Sequence, residues 1–166
     1  RNTSYRAMLL EAGQLGHGAT GHNAGELVSY FARSFHDLVK EFGSTMTAEV
    51  HRNIENDAWE LFDIMYTEGG LDIPLSRFMG HLGLSNKKQL ASFLEDNRLR
   101  QSAGLQIKEI LVAEHVDFLK EIESKYTNLF KTAPHEEILM RLEVIKSEFI
   151  ACLSEHKGIL NSALFT

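Results

Sequence analysis

Leu75-Ser-Arg-Phe-Met-Gly-His-Leu-Gly-Leu-Ser-Asn-Lys-Lys-Gln-Leu-Ala-Ser-Phe-Leu94 is the stretch on which the reading of the whole chain turns. Its apolar residues Leu75, Phe78, Met79 and Leu82 recur at spacings of one and three, the period of a helix with one buried face. Gly83 then stands where a left-handed turn would fall, and Leu84 can plug the junction. Leu90, Phe93 and Leu94 supply an apolar stripe to a second helix. On this reading residues 75–94 are helix-turn-helix-like. Asn86, Lys87, Lys88 and Gln89 would lead the second helix, and these are residue types that reach base edges and phosphates. Arg77, Arg98 and Arg100 extend them into a basic island of five bases with two nearby acids, Glu95 and Asp96. That is a modest footprint beside what specific DNA binding recruits. The apolar pair of the second helix also falls one residue later than the usual pattern.

Upstream, Val28, Phe31, Phe35, Leu38, Val39 and Phe42 form a helical stripe that Gly43 ends. Asn23 and Glu26 resemble a capping box at its start. A further helix opens after Thr47, runs through Val50, Ile54, Ala58, Leu61, Phe62 and Met65, and breaks at Gly69-Gly70. Downstream, two longer stripes run from Ile107 to Leu129 and from Ile138 to Leu160, joined by Lys-Thr-Ala-Pro. At 1.5 Å per residue each would be about 40 Å long, and the short connection folds them into a hairpin. The expected fold is therefore all-α, a multi-helix bundle with a long C-terminal antiparallel helical hairpin. Residues 1–100 form the helical region that holds segment 75–94, residues 101–166 form the hairpin, and both pack as one unit.

Composition narrows the function classes. Of 166 residues, 43% are hydrophobic and 24% charged, with a net charge of −6, so the chain neither resembles a disordered segment nor coats anionic surfaces over its whole exterior. No apolar run approaches the roughly 20 residues of a membrane helix, so no membrane partner is expected. The single Cys152 cannot form an internal disulfide, which fits a cytoplasmic setting.

Three chemistries are weighed against this background. The glycine-rich stretch from Gly16 to Gly25 lacks the Lys-Ser/Thr of a phosphate loop and follows a helix rather than a strand, so it reads as a connecting loop. His22 with Glu26, and His51 with Glu55, share helix faces as metal ligands do. No matching set stands on the later helices, so a metal-binding bundle ranks third and no cofactor is expected. Cys152 and His156 are spaced like a thiolate and its base, yet both sit on an apolar stripe, so catalysis is not favoured.

The functional expectation is a non-enzymatic regulatory or adaptor protein that acts through a protein partner or as a homodimer. A two-helix hairpin buries one face of each member, leaving Ile110, Val116, Leu119, Phe130, Leu139, Val144 and Ile159 in need of cover. The alternative is a DNA-binding transcriptional regulator that uses the basic island.

Overall fold

Ile-Leu-Val-Ala at 110–113 has no polar residue to offer a wet side, and in the computed structural model it is a strand buried on both faces. The structure describes residues 6, 8, 10–14, 18, 25–28, 31–69 and 75–160. Along them run β1 (Glu26–Val28), α1 (Phe35–Phe42), α2 (Ser44–Glu68), β2 (Leu75–Leu84), α3 (Lys87–Ser102), β3 (Ile110–Ala113), α4 (Leu119–Tyr126), β4 (Lys131–Ala133), α5 (His135–Leu142), a 3-10 turn (Lys146–Glu148) and β5 (Ala151–Leu160). The fold is mixed α/β around a five-stranded sheet, so the all-α bundle expected from the sequence is wrong. The C-terminal helical hairpin is replaced by β3, α4, β4, α5 and β5. The helix-turn-helix does not form, because its first half is the strand β2.

β5 is the strand that joins the sheet. One of its edges pairs antiparallel with β2 over its full length, from Leu84 opposite Ala151 to Leu75 opposite Leu160. The other edge is shared: β3 pairs with residues 151–153 and β1 with residues 157–159, both antiparallel. Between them, residues 154–156 of that edge form a notch. β4 lies parallel to β3, with α4 as the crossover.

Strand alternation sorts the core into two layers. Ala151 and Leu153 of β5, with Leu84, Ile110 and Val112, pack under Leu90 and Leu94 of α3 and Ile122 and Tyr126 of α4. Cys152 faces the other way, with Leu111, Ala113 and Ile138 of α5. Because β2 is partly covered on both sides, apolar residues from its two faces interleave as 75, 78, 79 and 82 and imitate a helix. Gly83 makes no left-handed turn either. It sits inside the strand, and a side chain there would lie 2.2 Å from the ring of Phe149.

The helical expectations hold better in the first half. Gly43, at φ +80°, closes α1 with its N–H donating to the Val39 carbonyl, and Gly69 closes α2 at Met65. The start of α1 moves: residues 26–28 are β1, and Ser34 rather than Asn23 caps the helix by accepting from the Asp37 N–H. No described helix is long and apolar enough to cross a membrane.

Candidate functional site

After Leu90 and Leu94 the inward face of α3 turns polar: Asp96, Asn97 and Arg100 are all buried. Each is satisfied by a different neighbour. The Asp96 carboxylate accepts from the N–H groups of Phe35 and His36 at 3.0 Å each and lies 2.8 Å from His36 Nδ1, so it anchors the positive end of α1. Asn97 donates to the carbonyls of Lys108 and Leu129 and accepts from the Lys108 N–H, which fixes the loop entering β3. Arg100 forms a two-pronged pair with Glu55 of α2 at 2.7 and 2.8 Å and donates to the Gln106 carbonyl. Three buried polar side chains thus bind α3 to α1, α2 and β3.

Glu55 also receives His51. The His51 Nδ1 is 3.4 Å from Glu55 Oε1, and the ring lies between Phe31 and Phe35, at centroid distances of 4.8 and 4.9 Å. Burial pushes the Glu55 carboxyl up, but hydrogen bonds from His51 and Arg100, with the guanidinium charge, outweigh it and bring its pKa down to about 2. An ionised carboxylate can only accept, so Nδ1 is the donor in this contact and Nε2 stands at the far side of the ring. The His51 side chain is 6% exposed, and among the described residues its Nε2 has no hydrogen-bond partner.

His51 forms part of the wall between two recesses. On one side is a cleft of about 360 Å³ above β2 and β5. Gly80, Leu82, Leu153 and Glu155 line it from the sheet, Phe93, Asp96 and Arg100 from α3, and Phe31 and Phe35 from the α1 entry. On the other side is a groove of about 210 Å³ between α1 and α2, lined by Phe31, Leu38, Phe42, Met46, Thr47 and Val50. The notch on the β5 edge opens beside the cleft, where Lys108 pairs with Glu155 and the backbone of Ser154 donates to the Glu109 carbonyl. Across the strands, His81 and Ser154 are in register, with Nδ1 3.1 Å from Oγ.

The residues nominated for DNA are dispersed. Arg77 is on β2, paired with Asp63 and stacked over Trp59. Asn86 caps α3, accepting from the Gln89 N–H, and the Gln89 side chain turns back to Ser85. Lys87 lies over the Phe118 ring, Arg98 is held by Glu95, Arg100 is buried on Glu55, and Lys88 is exposed. The nominated partner surface is largely consumed as well. Ile110 is in the core, while Val116, Leu119 and Phe130 pack against it. Leu139 is half-buried and Val144 exposed; the side chain of Ile159 lies outside the described residues.

Of the metal candidates, the structure joins His51 to Glu55, with Arg100 as third member, a cation where a metal would sit. His22 lies outside the described residues, and Glu26 pairs with Lys157. Among the described residues there is no cluster of three or more side chains able to hold a metal ion. Cys152 is buried and unreactive, its thiol pushed up by desolvation. The sequence did carry a signal for the polar hub: Asp96-Asn97-Arg98 interrupts the α3 stripe where an apolar residue is due. Comparison with protein families, curated proteins and solved structures finds no match to this chain.

Proposed function

We propose that the chain is a non-enzymatic regulatory adaptor that receives a basic amphipathic helix of a protein partner along α2. The observation that carries this reading is an exposed apolar stripe set in an acidic helix. Met46 and Val50 of α2, with Phe42 at the end of α1, border the α1–α2 groove, and Leu61 and Met65 lie on the same face of α2 about three turns further on, with Met46 58% exposed. α2 carries six acids, Glu49, Glu55, Asp57, Glu60, Asp63 and Glu68, against the single base Arg52. Glu55 and Asp63 are engaged inside the molecule, which leaves Glu49, Asp57, Glu60 and Glu68 exposed beside the stripe.

Apolar anchors at i, i+4 spacing suit a helix laid in a groove, methionines adapt to varied anchor shapes, and the flanking carboxylates favour lysine and arginine on the incoming helix. The test is a binding titration with two designed helical peptides that share one leucine face and differ in carrying lysines or glutamates on the other. The lysine peptide should bind, weaken with added salt, and lose about tenfold or more in affinity to Met46→Glu or Val50→Glu, both surface changes that leave the fold intact. Equal binding of the glutamate peptide, or indifference to both substitutions, would refute the reading.

A further inference from the structure

We propose that two copies of this chain join through the outer edge of β2, which pairs antiparallel with itself about Gly80. The inference does not rest on the helix groove of α2.

Among the described residues the sheet ends in β1, β4 and β2, and the first two edges are blunted. β1 and β4 are three residues each and carry Glu26 and Lys131, charged side chains that discourage a further strand. β2 differs. It is ten residues long, contains no proline, and its one charged side chain, Arg77, is bound to Asp63. β5 is its only strand neighbour among the described residues. A long apolar edge left bare is a template for another chain.

The register tells which backbone groups face outward. The Ser154 N–H donates to the Glu109 carbonyl, so even-numbered residues of β5 turn their backbone toward β3 and odd-numbered ones toward β2. Those odd-numbered residues, Leu153, Glu155 and Lys157 among them, lie opposite Leu82, Gly80 and Phe78. Arg77, Met79, His81 and Gly83 therefore hold their N–H and C=O groups out on the free edge.

A symmetric antiparallel pair must join outward-facing residues to outward-facing residues. An axis at Gly80 does so, setting Met79 opposite the partner's His81 and Arg77 opposite the partner's Gly83, so that no like charges meet. Phe78 then stands across from the partner's Leu82, and Leu82 across from the partner's Phe78. The two share one face of the strand at 41% and 47% exposed, and in such non-hydrogen-bonded pairs the side chains approach most closely. Gly80 meets Gly80 at the axis and puts no side chain between the strands. Moving the axis to Met79 sets Phe78 against Gly80 and Leu82 against Ser76, and moving it to His81 sets Leu82 against Gly80. This single self-complementary register is what selects a second copy over an unrelated extended segment.

Sedimentation of the purified chain should show a reversible dimer with a dissociation constant on the order of 1–100 µM, as suits a modest interface. Met79→Pro removes an outward N–H and no bond to β5, so it should preserve the circular dichroism spectrum and weaken the dimer about tenfold or more. Phe78→Lys combined with Leu82→Lys sets like charges across both pairs and should give a monomer, whereas Phe78→Lys combined with Leu82→Glu sets opposite charges there and should dimerise. Gly80→Cys should cross-link on mild oxidation, because Cα atoms of such a pair lie about 4.5 Å apart; Ser76→Cys, held roughly 26 Å from its own copy, should not. A chain still monomeric at ~500 µM overturns the proposal, whether its edge is bare or takes an extended peptide. A dimer that survives Met79→Pro or the lysine pair does the same, as does equal cross-linking by the two cysteine variants. If the proline variant fails to fold, the charge variants and the cross-links decide.

Discussion

The two halves of β5 share a strand, and they share β2 as a neighbour, yet they occupy different environments. Residues 151–154 are buried throughout, Leu153 to 1% exposed, with core on both sides of the sheet. Residues 155–157 are Glu-His-Lys, half-buried or exposed, and sit beside the notch. The difference lies in the second edge. Where β3 covers it, every position must be apolar or small; where β3 has ended and β1 has not begun, polar side chains reach water and each other. One strand therefore builds the core with its first half, Leu153 also flooring the cleft, and sets Glu155 and Lys157 at the cleft with its second. Glu155 and His156 stand where β5 is paired with β2 alone, and Lys157 where β1 takes over the second edge.

Substitutions along this axis can break the contrast or sharpen it. The largest effect belongs to the core half: Leu153→Ala should cost about 4 kcal/mol in urea unfolding, from lost burial plus a cavity that two packed layers cannot close. A loss below about 1 kcal/mol would mean that this half is no core at all.

Next comes the polar hub. The depressed Glu55 carboxyl contributes stability at neutral pH that disappears as pH falls from about 4.5, its ordinary value, to about 2, its folded value. Over that window roughly 3 kcal/mol should be lost through this group, and Arg100→Met should flatten that part of the pH profile. An unaltered profile in the variant would show that the pair does not hold α2 to α3.

The two glycines of β2 give a matched comparison at smaller scale. Gly83→Ala drives a methyl into the Phe149 ring on the core half and should destabilise by about 2 kcal/mol. Gly80→Ala meets the flexible Lys157 stem on the cleft half, which can swing aside, so its cost should stay below about 1 kcal/mol. Melting temperatures of the two variants in one buffer give the comparison directly, and equal shifts would erase the distinction between the halves.

The helices were legible where their signals were local. Gly43 and Gly69 ended α1 and α2 as the sequence suggested, because a C-cap needs nothing from the rest of the fold. The strands were hidden by long-range pairing. The apolar residues of β2 mimic helical spacing because they serve two faces, and Gly80 and Gly83 blank out positions that would have revealed the alternation. β3 was legible in principle: four consecutive buried residues, two of them β-branched, suit a strand enclosed on both sides. Of the site, His51 and Glu55 were visible as a helical pair, whereas the third member, Arg100, is 45 residues further along and no spacing rule connects them. Reading both histidine pairs as metal candidates missed that the vacant charge was already supplied by the chain itself.

The order of the strands has a kinetic consequence. β1, β2 and β3 have no direct pairing with one another; each reaches the sheet through β5, which follows them all in sequence. Until residues 151–160 have been synthesised, β2 has no strand to zip onto and β3 has only the three-residue β4, and the closure that finally joins residue 26 to residue 159 spans most of the chain. Such remote contacts slow folding, so a nascent chain halted before residue 151 should remain protease-sensitive and in need of chaperone shelter, then gain resistance in one late step.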